Sequence, residues 1–85
     1  MRAAERLRKA NRMLVIDKKA TGRKITEQME RSGKNVYEMA KAIGSQAKFV
    51  QGYMDGVSVP SLLRLIRMSD ALGVYMDELI VATEE

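Results

Sequence analysis

The chain contains no cysteine and no histidine. Without cysteine there is no disulfide and no thiolate metal site. Without histidine, Ser-His-Asp triads, imidazole-ligated metals and the commonest general acid–base group are excluded. No apolar run exceeds four residues; Met13-Leu14-Val15-Ile16 is one, and Asp17 closes it. A membrane span needs about 20 apolar residues, and a secretory signal about 7–15 after its basic start. The expectation is a cytoplasmic protein that is not an enzyme, with no membrane partner, no metal and no cofactor.

What remains is a small, helix-rich chain. Its 85 residues suffice for one domain, and a hydrophobic fraction of 46% is ordinary for a globular one. Fifteen basic residues against eleven acidic ones give a net charge of +4. That charge is unevenly spread. Residues 1–34 hold eleven basic and four acidic groups, net +7, whereas residues 35–85 are net −3. A basic half joined to an acidic half suggests a polyanionic partner.

Apolar periodicity predicts a series of helices. Residues 2–11 carry a narrow stripe of Ala3, Leu7 and Ala10 on an Arg-rich segment. Such a stripe holds a helix poorly, so residues 1–16 read as a basic N-terminal arm, disordered or partly helical. A helix over 18–32 is expected from Asp17 as N-cap and Gly33 beyond its end, with Ile25 and Met29 inward. The next, over 36–43, has capping-box spacing in Asn35 and Glu38 and one apolar face in Val36, Met39, Ala40 and Ile43. A helix over 46–54 follows, with Ser45 or Gln46 as its cap and Val50, Tyr53 and Met54 inward. Another begins at Ser61, after the single proline, with Leu62, Leu65, Met68, Ser69 and Leu72 on one side; a short last helix covers 76–81. Residues 17–81 thus form the folded domain, and 82–85 an acidic tail.

The pair over 36–43 and 46–54 carries the functional information. A short glycine-containing turn joins them, which is the helix-turn-helix arrangement. Ala40 has to be small because the next helix crosses above it. Gly44 can accept the positive φ of a sharp turn, and Val50 plugs the angle between the helices.

The flanking residues extend this pattern. The stretches DKKATGRKI (17–25), NVYEMAKAIG (35–44), VQGYMDGVSVPS (50–61) and MSDALGVYMDELI (68–80) resemble the lambda-repressor-like, or XRE, family of helix-turn-helix domains. The resemblance spans about three quarters of the chain. It implies an all-α, compact five-helix domain, here behind a basic N-terminal extension. It also implies a transcriptional regulator, a repressor by expectation, that binds double-stranded DNA as a homodimer.

In that family the helix corresponding to 46–54 enters the major groove. Carried over by position, the base-reading residues are Gln46, Ala47, Lys48, Phe49, Gln51 and Gly52. Lys48 can donate to guanine, Gln51 and Gln46 can pair with adenine, and Ala47 or Phe49 can touch a thymine methyl. Phosphate contacts fall to Lys34, Asn35 and Val36, the last through its backbone N–H alone, and to Ser58.

Some positions depart from the family pattern. Val36 and Val57 stand where polar or basic residues are usual, and Gly52 interrupts the reading helix. These departures favour an alternative function: a protein-interaction module of the same fold, antitoxin-like or an anti-repressor partner. Met29 and Met54 occupy positions where many members carry a partly buried Arg–Glu pair. Replacing both charges by apolar groups can be neutral, whereas replacing one strands the other. The two methionines are therefore expected to touch. Leu63, at a solvent-facing position beside Ile66, suggests a subunit contact.

Overall fold

The computed structural model describes residues 14–84. The predicted helix over 2–11 lies outside them. Four α-helices, α1 (Lys18–Ser32), α2 (Val36–Ile43), α3 (Ala47–Met54) and α4 (Leu62–Leu72), are followed by a 3₁₀ turn at Met76–Glu78. Two short strands, β1 (Leu14–Ile16) and β2 (Ala82–Glu84), pair antiparallel with Val15 opposite Thr83.

Local chemistry sets most of these boundaries. The Asp17 carboxylate accepts from the Ala20 N–H at 2.9 Å and starts α1. At its other end the Lys34 N–H donates to the Met29 carbonyl at 3.0 Å, closing the helix around Gly33. Asn35 and Glu38 form the reciprocal capping box of α2, with bonds of 2.9 and 3.1 Å. Ser61 caps α4 by accepting from the Arg64 N–H.

The core lies where the four helices converge. Ile25 and Met29 of α1, Met39, Ala40 and Ile43 of α2, Val50 and Tyr53 of α3, and Leu65 and Met68 of α4 are buried together with Leu79. Met54 is half-buried and packs against this cluster, which contains Met29.

Two expectations need correction. The last helix over 76–81 is a three-residue 3₁₀ turn, so the described residues hold four α-helices rather than five. Glu78 folds back to accept from the Tyr75 N–H at 2.7 Å. Leu79 is then buried, and the β-branched Ile80, Val81 and Thr83 suit extended backbone better than another helical turn. The β1–β2 ribbon adds two three-residue strands to a domain that is otherwise helical. Finally, Leu62 is exposed rather than inward. The buried face of α4 centres on Leu65, Met68 and Leu72, and Leu62 falls roughly 90° away from it on a helical wheel.

The ribbon is tied to α1 through a buried threonine. Thr21 is 1% exposed, and its hydroxyl accepts from the Val81 N–H at 3.0 Å. The Asp17 N–H donates to the Val81 carbonyl at 2.8 Å. Both polar groups of Val81 are thus satisfied by the start of α1.

Candidate nucleic-acid interface

The turn between α2 and α3 is built as the spacing predicts. Gly44 has φ of +67°, and the Ser45 N–H reaches back to the Ala40 carbonyl at 2.8 Å. Ala40 is buried under the crossing, and Val50 is fully buried in the angle. A feature missed in the sequence braces this turn. Arg67 of α4 donates from Nη1 to the Ile43 carbonyl at 3.2 Å, where the carbonyl end of α2 favours a cation. A Cβ on Gly44 would lie 3.1 Å from that same Nη1. The Ser45 hydroxyl is buried without a partner.

Val50 and Tyr53 anchor α3, so its other side faces outward. Gln46 is the N-cap residue, but its side chain makes no capping bond and is exposed. Lys48 and Gln51 are exposed, Phe49 is 41% exposed, and Ala47 and Gly52 are half-buried. All six predicted base-reading residues therefore lie on one short helix and its cap. The Gln51 amide donates to Asp55 Oδ1 at 2.9 Å, which sets a carboxylate one turn along.

Ser58 joins this group. The chain folds back after α3, and the Val57 N–H donates to the Gly52 carbonyl at 2.9 Å. Ser58 is exposed, and its Oγ would lie 3.3 Å from a Cβ placed on Gly52. A glycine here lets the turn close against α3. Lys34, Asn35 and Val36 sit apart, at the start of α2 and about 12 Å of helix away from the turn. Asn35 uses its side-chain oxygen in the cap, which leaves its amide nitrogen as a donor. Lys34 is half-buried, and Val36 packs on the core.

Two further residues border the site. Tyr37, in the first turn of α2, is 73% exposed. Arg64 of α4 reaches across to α3: its Nη1 donates to the Tyr53 hydroxyl at 2.8 Å, and its Cζ lies 5.6 Å from the Phe49 ring centroid. Lys48 Nζ is 5.2 Å from the same centroid. A basic residue in the first turn of a helix, where acids are favoured, was the one signal in the sequence that could have drawn attention to Arg64.

A capped helix, a glycine turn and an outward second helix, packed on α1 and α4, define a lambda-repressor-like helix-turn-helix fold. Solved structures share it. The restriction-modification controller protein C.AhdI from Aeromonas hydrophila is similar with a TM-score of 0.70 and 24% identity, over 74% of this chain and 96% of that one. The P22 c2 repressor, solved in complex with synthetic operator 9T, is similar with a TM-score of 0.67 and 19% identity, over 69% of this chain and 89% of the repressor's. HppE, solved in complex with Co(II) and substrate, matches with a TM-score of 0.69 and 17% identity, but this chain spans only 36% of its length. No family model matches the chain, and no curated protein matches it in sequence. At these identities the likeness establishes the fold.

Proposed function

We propose that the protein is a sequence-specific DNA-binding transcriptional regulator, working as a repressor, that inserts α3 into the major groove. The observation that carries this reading is the outward face of α3. Gln46, Lys48, Phe49 and Gln51 are all exposed on α3 and its cap, while Val50 and Tyr53 bury the helix against the core. Donors and an apolar ring on one rigid surface suit base edges. Lys34, Asn35, the Val36 N–H and Ser58 flank that surface as phosphate contacts. Likeness to a restriction-modification controller and to an operator-bound repressor supports the same reading. Such a protein acts in the cytoplasm, where its DNA is, and needs no cofactor.

The working unit is a homodimer. One copy reads only a few base pairs, and Leu62, Leu63 and Ile66 expose a run of apolar surface along α4, at 66%, 55% and 46%. Two copies would read half-sites about one helical turn, ~34 Å, apart.

Selection of bound sequences from a random duplex pool tests this. The expected result is a two-fold symmetric consensus, with affinity falling steeply as salt rises. Failure to retain any duplex, or a salt-insensitive complex, would overturn it. The second reading, a protein-interaction module of the same fold, draws on Asp55 beside Gln51 and on Val57, which is 72% exposed where a phosphate contact would be useful. Stable capture of a protein partner by a chain that retains no duplex would favour it.

A further inference from the structure

Arg64 lies outside the segment that the helix-turn-helix pattern points to, yet its side chain reaches the reading helix. One of its nitrogens is held by the Tyr53 hydroxyl at 2.8 Å, and its carbon centre lies 5.6 Å from the middle of the Phe49 ring. Lys48 approaches the same ring to 5.2 Å. A single exposed aromatic side chain therefore gathers two cations, one from α3 and one from α4.

Neither contact neutralises either charge. A phenol and a ring face are uncharged acceptors, and among the described residues neither Lys48 nor Arg64 has a carboxylate within ion-pair distance. Arg64 also stands in a helical first turn that contains no acid, and the start of a helix disfavours a cation. Two cations gathered at one ring, with no carboxylate to offset either, raise the local potential. An arriving anion relieves it.

We infer that Arg64 is a DNA-contacting residue: it grips a backbone phosphate at the edge of the surface that Lys48, Phe49 and Gln51 present. The Tyr53 hydroxyl and the Phe49 ring are the positioning groups. They fix the guanidinium plane and leave its remaining N–H groups for a two-point contact with phosphate oxygens. Its root on α4, beside rather than on the reading helix, suits the backbone flanking the groove better than a base edge. This inference rests on the DNA-reading function proposed above and adds one phosphate contact to it.

The test is a salt titration of duplex binding, followed by fluorescence anisotropy, for the wild-type chain, Arg64→Gln, Arg64→Lys and Tyr53→Phe. Losing one phosphate contact lowers the slope of log K against log salt by about 0.9, and that is expected for Arg64→Gln. Arg64→Lys and Tyr53→Phe keep the charge, so each should keep the slope and lose roughly 3- to 10-fold in affinity, because the cation is no longer fixed. An Arg64→Gln slope equal to wild type overturns the phosphate contact while leaving the DNA-binding function standing. If Arg64→Gln does not fold, the other two variants decide, and wild-type affinity in both overturns it. A wild-type chain that binds no duplex removes both proposals together.

Discussion

Gly22 on α1 and Met54 at the end of α3 are in backbone contact: a Cβ on Gly22 would lie 2.6 Å from the Met54 carbonyl oxygen, and would also clash with the Tyr53 carbonyl. No real side chain tolerates such distances against backbone. α3 is thus seated directly on α1, and its angle depends on a missing methyl group. Gly22→Ala should cost at least about 2 kcal/mol, since the overlapping atoms cannot rotate away. Chemical denaturation would measure it. A variant as stable as wild type would show that α3 is free to shift, and then the orientation of its exposed side chains is not fixed by α1.

The ribbon joining the two ends of the domain hangs on Thr21. Thr21→Val preserves volume but removes the acceptor for the Val81 N–H, leaving a partly buried donor unsatisfied at a cost of about 1–3 kcal/mol. Amide exchange should rise first at Val81 to Thr83, ahead of any change in α2 and α3. Uniform loss of protection throughout the chain would mean that the ribbon and the helices unfold as one unit.

Some of this could be read from the chain and some could not. The caps at Asp17, Asn35 and Ser61 and the turn at Gly44 were legible, because each depends on residues within three or four positions. The outward face of α3 followed from the spacing of Val50 and Tyr53. The ribbon was not legible: each strand has three residues, too few to show alternation, and Leu14 pairs with Glu84 from the far end of the chain. The Arg64 contact escaped for a related reason. A long side chain that crosses from one helix to another leaves no periodic trace.

Met29 and Met54 offer a cleaner energetic test than either glycine or threonine. Met29 is 1% exposed in the core, and Met54 packs on the same core. Met29→Arg alone should destabilise by about 3–5 kcal/mol, as an uncompensated buried charge does. Adding Met54→Glu should recover at least about 1 kcal/mol, the coupling expected of neighbours. A double-mutant cycle by urea denaturation measures that term. Strict additivity would place the two side chains out of reach of each other.

The exposed apolar run on α4 makes a prediction about assembly. Leu63→Glu with Ile66→Glu puts two carboxylates into the proposed subunit contact, where desolvated like charges from both copies would meet. Analytical ultracentrifugation should then show monomer at concentrations where wild type is a dimer. Thermal stability of the monomer should change little, because both residues already face water. A wild-type chain that is monomeric at all concentrations would remove this face as the contact.

Asp55 is the residue that argues most directly against DNA, and it can be used to measure how strongly. Its carboxylate holds the Gln51 amide at 2.9 Å on the exposed end of α3. Near a polyanion that charge is repulsive, and it keeps the Gln51 amide, proposed above to read a base, turned along the helix. Asp55→Ala removes both effects while leaving Val50 and Tyr53 in place. Duplex affinity should therefore rise, by several-fold at low salt and less at high salt, where repulsion is screened. Stability should fall only slightly, by roughly 0.2–0.5 kcal/mol for the lost i,i+4 pair. If affinity falls instead, the Gln51–Asp55 bond is orienting Gln51 for its base, and the carboxylate belongs to the recognition surface rather than opposing it.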